Sequence, residues 1–184
     1  VSGRELMIEQ NRLLALADGA TDEAAAAIAE RARELFDAIL AGAAVDEVRT
    51  RTRALAEAQS GRELEEEELR QLDAQVEEAA SSRFRDLLAH DPRPDLERLR
   101  MPVLALCGDK DAQVSSRQNL PAIEAALQKG GNTRVQVREL RGLNHLLQPC
   151  VTGSVQEYAV IDTTFAEAAL EAIRTFVSEH GASD

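Results

Sequence analysis

Aromatic side chains are scarce in this chain: they make up 3% of 184 residues, with one Tyr, four Phe and no Trp. A core must therefore be assembled from Ala, Leu, Ile and Val rather than from large rings. Cysteine is scarce too. Cys107 and Cys150 alone cannot build a disulfide framework. No apolar run approaches the ~20 residues that cross a bilayer, and no stretch has the layout of a signal peptide. A cytoplasmic location is the expectation. Positive charge is also short. The net charge is −12, which argues against nucleic acid and against a membrane surface as partners. With three His and no close His/Asp/Cys cluster, no metal site and no cofactor are expected.

What is present divides into two halves of different character. Residues 1–100 hold 14 Arg against 23 Asp and Glu, whereas residues 101–184 hold 7 Lys and Arg against 10. The first half reads as all helix. Residues 4–17 carry Leu6, Leu13, Leu14 and Ala17 on one side, and Asp18-Gly19-Ala20 breaks the pattern. Thr21 or Asp22 caps a second helix with Ile28, Ala32, Leu35, Phe36 and Ile39 at helical spacing. Val45, Val48, Thr52 and Leu55 mark a narrower stripe. Glu63 to Glu78 follows, with four Glu at 65–68 that suit a helix N-terminus and a solvated face. A short helix from Ser81-Ser82 precedes the stiff turn Asp91-Pro92-Arg93-Pro94, and Asp95 to Arg100 reads as a short helical link.

The second half is organised around Pro102-Val103-Leu104-Ala105-Leu106-Cys107-Gly108-Asp109-Lys110-Asp111. Its unbroken apolar run is the pattern of a parallel strand covered on both faces. Gly108 lets the chain turn, and Asp109 and Asp111 stand just past the strand end, where open α/β sheets place their sites. Arg134 to Leu140 alternates polar and apolar, as a second strand does, and Arg141-Gly142-Leu143-Asn144-His145 follows it. Between the two, Asn119 to Gln128 carries Leu120, Ile123 and Leu127 on one helical face and stops at Gly130-Gly131. A β–α–β unit makes its strands parallel and opens both loops at the same sheet edge, so Asp111 and His145, 34 residues apart, can meet there. Leu146 to Tyr158 reads as a long loop, and Thr163 to Glu179 as a closing helix with Phe165, Ala169, Ile173, Phe176 and Val177 on one face.

Residues 102–114 and Gly142-Leu143-Asn144-His145 resemble the C-terminal part of the α/β-hydrolase fold. Within that fold they look like lidded esterases of the dienelactone-hydrolase-like and acyl-thioesterase-like type. The resemblance implies an α/β class: two parallel strands with flanking helices at 95–184, preceded by an all-helical lid at 1–94. It implies that Asp111 is the acid and His145 the base of a Ser–His–Asp triad acting on a small ester or thioester. The family nucleophile in Gly-x-Ser-x-Gly is missing, and Gly153-Ser154-Val155 falls after the His, out of the family order. The chain is therefore expected to be the lid and C-terminal part of a longer hydrolase, inactive by itself. Its exposed strand edges or helices would favour a homo-oligomer.

Residue by residue, other roles compete. Asp109 is the rival acid, but a turn-former holding nearby backbone N–H groups suits it better. Asn144 and Gln148 flank His145, where shaping the site competes with the favoured reading of holding the loop. His90 and His180 read as exposed, and Cys107 as a small buried hydrophobe. From another functional class comes a non-catalytic helical interaction module with a vestigial βαβ tail.

Overall fold

The computed structural model describes residues 1–181, which contain eight α-helices and one two-stranded parallel sheet. No helix among them is long and apolar enough to cross a membrane. The chain divides into two compact units, one formed by Ser2–Asp91 and the other beginning at Pro92.

The first unit is wholly helical: α1 (Gly3–Ala17), α2 (Asp22–Leu40), α3 (Val45–Ser60), α4 (Glu66–Ala79) and α5 (Ser82–Ala89). Local chemistry sets the starts. Ser2 accepts from the Glu5 N–H while the Glu5 carboxylate reaches back to the Ser2 N–H, a reciprocal cap worth about 1 kcal/mol. Thr21 and Ser81 cap α2 and α5 in the simpler one-way form. The Glu run acts at the start of α4. The Glu68 carboxylate accepts from the Glu65 N–H at 2.9 Å and receives both Arg62 guanidinium nitrogens at 2.8 Å. α2 is the central helix. Its Ile28, Leu35, Phe36 and Ile39 enter a common core with Ile8, Val48, Leu72, Val76 and Leu88. Ala25 and Ala32 are fully buried, which lets neighbouring helices approach closely in a chain with few rings to fill space. From the α3 stripe, Val48, Thr52 and Leu55 are buried, while Val45 stays half exposed.

The second unit contains α6 (Arg93–Leu96), β1 (Val103–Gly108), α7 (Ser116–Lys129), β2 (Val135–Leu140) and α8 (Glu167–His180). β1 and β2 pair in parallel, with Val103 opposite Val135 and Gly108 opposite Leu140. Both strands therefore end at the same edge of the sheet.

Four sequence expectations need correction here. Only Cys107 and Gly108 of β1 are buried. Val103 to Leu106 are half-buried, because two strands and their flanking helices leave part of each face open. α7 begins at Ser116, not Asn119, and takes Pro121 into its interior. The Ser115 hydroxyl accepts from the Gln118 N–H, and this cap fixes the first turn ahead of the proline. α8 begins at Glu167, not Thr163. The Ala166 N–H is engaged by the Leu147 carbonyl at 2.9 Å, and the Thr163 carbonyl accepts from Gln148. Those bonds keep 163–166 outside the helix. The face of α8 is only partly covered: Ala169 and Ala172 are buried, whereas Ile173 and Val177 are exposed.

Candidate active site

Asp111 and His145 come together at the common end of the two strands. His145 Nδ1 lies 2.9 Å from Asp111 Oδ2. The Asp111 side chain is 5% exposed and that of His145 is 38% exposed, so the carboxyl is dry and the ring reaches water.

The acid is held by its own turn. Asp111 Oδ1 accepts from the Gln113 N–H at 2.9 Å and from the Val114 N–H at 2.7 Å. One oxygen is thus committed to the backbone, and the other is left for the imidazole. The S–H of Cys107 donates to the Val114 carbonyl at 3.2 Å and lies 3.5 Å from Asp111 Oδ2. Burial, reinforced by the negative carboxyl beside it, pushes the Cys107 thiol up to about 12. The buried hydrophobe read from sequence is therefore also a hydrogen-bond partner of the acid's turn, and an inert one.

Three features bring the second loop to the first. Gly108 sits so close to it that a Cβ would fall 2.0 Å from the Leu143 carbonyl oxygen. Its role is close approach, not the sharp turn inferred from sequence. The Lys110 N–H donates to that same carbonyl at 3.1 Å. Asp109 Oδ1 accepts the Gly142 N–H at 2.6 Å. Asp109 thus binds a backbone N–H as expected, but one on the other loop, 33 residues away. Gly142 itself has φ 75°, a left-handed conformation that glycine adopts at no cost.

The loop that carries His145 is pinned from within. Asn144 is fully buried, and its Oδ1 accepts from the N–H groups of Leu146 at 3.0 Å and Gln148 at 2.9 Å. Its Nδ2 donates to Gln148 Oε1 at 3.1 Å. Leu147 takes φ 56°, a strained value for a non-glycine residue. Leu143 then bridges antiparallel to Pro149. Asn144 and Gln148 are the loop-holders foreseen for them.

The segment after Gln148 is more ordered than a plain loop. It contains a 3-10 turn at Val155–Ala159. Ser154, buried there, accepts the Gln156 N–H and caps that turn. Neither a strand nor a helix elbow presents it. The other two histidines lie elsewhere: His90 is exposed, and His180 packs its ring edge-on against Phe176 at 4.6 Å. Among the described residues no group of His, Cys, Asp and Glu could hold a metal ion.

Sequence reasoning missed Gln113 and Tyr158, which meet beside the acid's turn, and Glu157, which holds the backbone of 151–153. Gln113 Nε2 donates to the Tyr158 hydroxyl at 2.7 Å. The one tyrosine of the chain, in a segment low in charge, was the available signal. Comparison with known proteins found no matching family model, and no significant match among curated proteins or solved structures.

Proposed function

We propose that Asp111 and His145 are the acid and base of an α/β-hydrolase-type triad that cleaves carboxylic esters or thioesters, with residues 1–94 serving as its helical lid. The observation that carries this reading is the 2.9 Å contact between a dry carboxyl and a solvent-reaching imidazole at the shared end of two parallel strands. Asp111 Oδ2 can only accept from Nδ1 when that nitrogen carries the proton. The other ring nitrogen, Nε2, then presents its lone pair. That is the tautomer a general base needs to take a proton from a hydroxyl and return it to a leaving group. The acid's work is to hold this tautomer and to stabilise the imidazolium.

The nucleophile and the oxyanion donors belong to polypeptide outside this sequence, which has no Gly-x-Ser-x-Gly. The composition of the segment that follows His145 favours an uncharged ester. Leu146, Val151, Val155 and Val160 are exposed on the segment that follows it. The only Asp, Glu, Lys or Arg between Gly142 and Val160 is Glu157, whose carboxyl is turned onto the backbone of Thr152 and Gly153.

The test is hydrolysis of p-nitrophenyl butyrate by this chain joined to the segment encoded upstream of Val1. That protein should turn over the ester. His145→Ala and Asp111→Asn should each lower kcat by at least ~10³-fold with the fold intact. Full activity in His145→Ala would overturn the assignment.

A further inference from the structure

The chain from Cys150 to Val160 lies across the loop that carries the acid. It touches that loop at three places. The Lys110 ammonium donates to the Val151 carbonyl. Gly153, with φ 87°, passes so near that a Cβ would fall 2.1 Å from the Lys110 carbonyl oxygen. Gln113 donates its side-chain amide to the Tyr158 hydroxyl at 2.7 Å, while its backbone N–H donates to Asp111 Oδ1 at 2.9 Å. Gln113 is thus a link of one residue between Tyr158 and the acid.

This crossing segment keeps its own shape through Glu157. Its carboxylate accepts the N–H groups of Val151 at 3.2 Å, Thr152 at 2.9 Å and Gly153 at 3.2 Å, and the Thr152 hydroxyl at 3.0 Å. Those backbone hydrogen bonds, the one from Thr152 foremost, hold the Glu157 carboxyl below the usual carboxylate range. A single acidic side chain therefore organises three consecutive amides that would otherwise point outward. Burial pushes the Tyr158 phenol up, and the negative Asp111 nearby adds to this.

We propose that residues 150–160 form a strap that positions the acid: Glu157 sets the strap, Tyr158 holds Gln113, and Gln113 fixes the carboxyl of Asp111 with Oδ2 toward His145. This rests on the reading of Asp111 and His145 as an acid–base pair. Glu157, Tyr158 and Gln113 are positioning residues, since they act through Asp111. Without the strap the Asp111 turn keeps its two backbone bonds, but it is free to pivot about the end of β1. The imidazole then loses its fixed acceptor for part of the time and exchanges its Nδ1 proton with water.

The experiment reads that proton in the ¹⁵N-labelled chain. Imidazole ¹⁵N shifts give the tautomer of His145, and saturation transfer gives the exchange rate of its Nδ1 proton. Asp111→Asn should abolish the Nδ1–H signature. Tyr158→Phe and Glu157→Gln should each speed proton exchange about fivefold, the factor that one hydrogen bond of ordinary net strength supplies. Val45→Ser, a change at a half-exposed site in the helical unit, should leave the rate unchanged. A strap with a merely structural role would lower the melting temperature without changing the Nδ1 exchange rate. If Asp111→Asn abolishes the signature while both strap variants exchange like the parent chain, the strap proposal is overturned and the pair stands. If Asp111→Asn leaves the signature in place, the pair itself falls, and the proposal with it. Should Glu157→Gln unfold, Tyr158→Phe removes a single oxygen and carries the test alone.

Discussion

Replacing Gly108 by Ala adds one methyl group at the place where the two site loops meet. The new Cβ would lie 2.0 Å from the Leu143 oxygen, 2.6 Å from the Leu143 carbonyl carbon and 2.9 Å from the Asn144 oxygen. All three are backbone atoms, so no side chain can swing aside. The second loop must retreat by about 1 Å to reach van der Waals contact. The bond from the Lys110 N–H to Leu143, now 3.1 Å, would then stretch past hydrogen-bonding range. The 2.6 Å bond from Gly142 to Asp109 is strained by the same movement. Overpacking of this kind costs about 1–3 kcal/mol, and each lost bond adds about 1 kcal/mol. The expected destabilisation is about 3 kcal/mol, with His145 displaced from Asp111.

Tyr158 supplies the assay. It is the only tyrosine, there is no Trp, and it belongs to the same unit as the two loops. Its emission in a urea titration therefore reports this unit rather than the helical one. Gly142→Ala is the comparison. There a Cβ meets nothing within 4 Å, so the cost comes only from φ 75° and should be about 1 kcal/mol. A Gly108→Ala protein within about 0.5 kcal/mol of the parent chain, with the His145 proton signature retained, would show that the close approach does not hold the site together.

Other measurements probe separate parts of the argument. With its thiol at about 12, Cys107 holds ~10⁻⁴ of its population as thiolate at pH 8, against ~0.2 for an unperturbed thiol. Alkylation followed by mass spectrometry should find Cys107 modified about 10³-fold more slowly than a free cysteine, and after Cys150. Equal rates at the two sites would contradict the burial seen here. The Glu157 carboxyl is depressed in the folded chain, so its contribution is complete above the unfolded value near ~4.3 and is lost as pH falls through the folded value. Tyr158 emission should therefore show a strap transition, as pH falls below the ordinary carboxylate range, that Glu157→Gln lacks. In the helical unit, Ile39 is 1% exposed, and Ile39→Ala should cost about 2–5 kcal/mol by far-UV circular dichroism in urea. A loss under 1 kcal/mol would mean that the site collapses around the smaller side chain.

The sequence made the frame of the site legible because its signals are local. An apolar run closing on Gly-Asp, an alternating run closing on Gly-Leu-Asn-His, and a helical face between them leave few arrangements. A parallel pair then brings Asp111 and His145 to one edge. What was not legible depends on distant partners. Asp109 has the composition of a turn, yet its acceptor role spans the gap to Gly142. Gly108 reads as a hinge because glycine often is one; only the opposite loop, 2.0 Å from an imagined Cβ, shows why a side chain is excluded. The helical pattern between the strands opens at Asn119, but the Ser115 cap starts the helix at Ser116. The β1 run looked like a strand covered on both faces. Half-buried Val103 to Leu106 show that such a run records apolar content, not how many strands lie beside it.

Those half-buried strand residues bear on the chemistry as well. A general base raises the rate only when a nucleophile is held against it, and the largest electrostatic contribution comes from donors aimed at the developing oxyanion. In this chain the acid is dry and fixed through both oxygens, while the imidazole is fixed through Nδ1 and open on its other side. A carboxylate oxygen facing Nδ1 favours the tautomer that carries its proton there. On the proposed reading, an Nδ1–H held toward Asp111 leaves the opposite ring nitrogen to take a proton, and this is why the Nδ1 proton of His145, rather than the stability of the chain, is the quantity to measure.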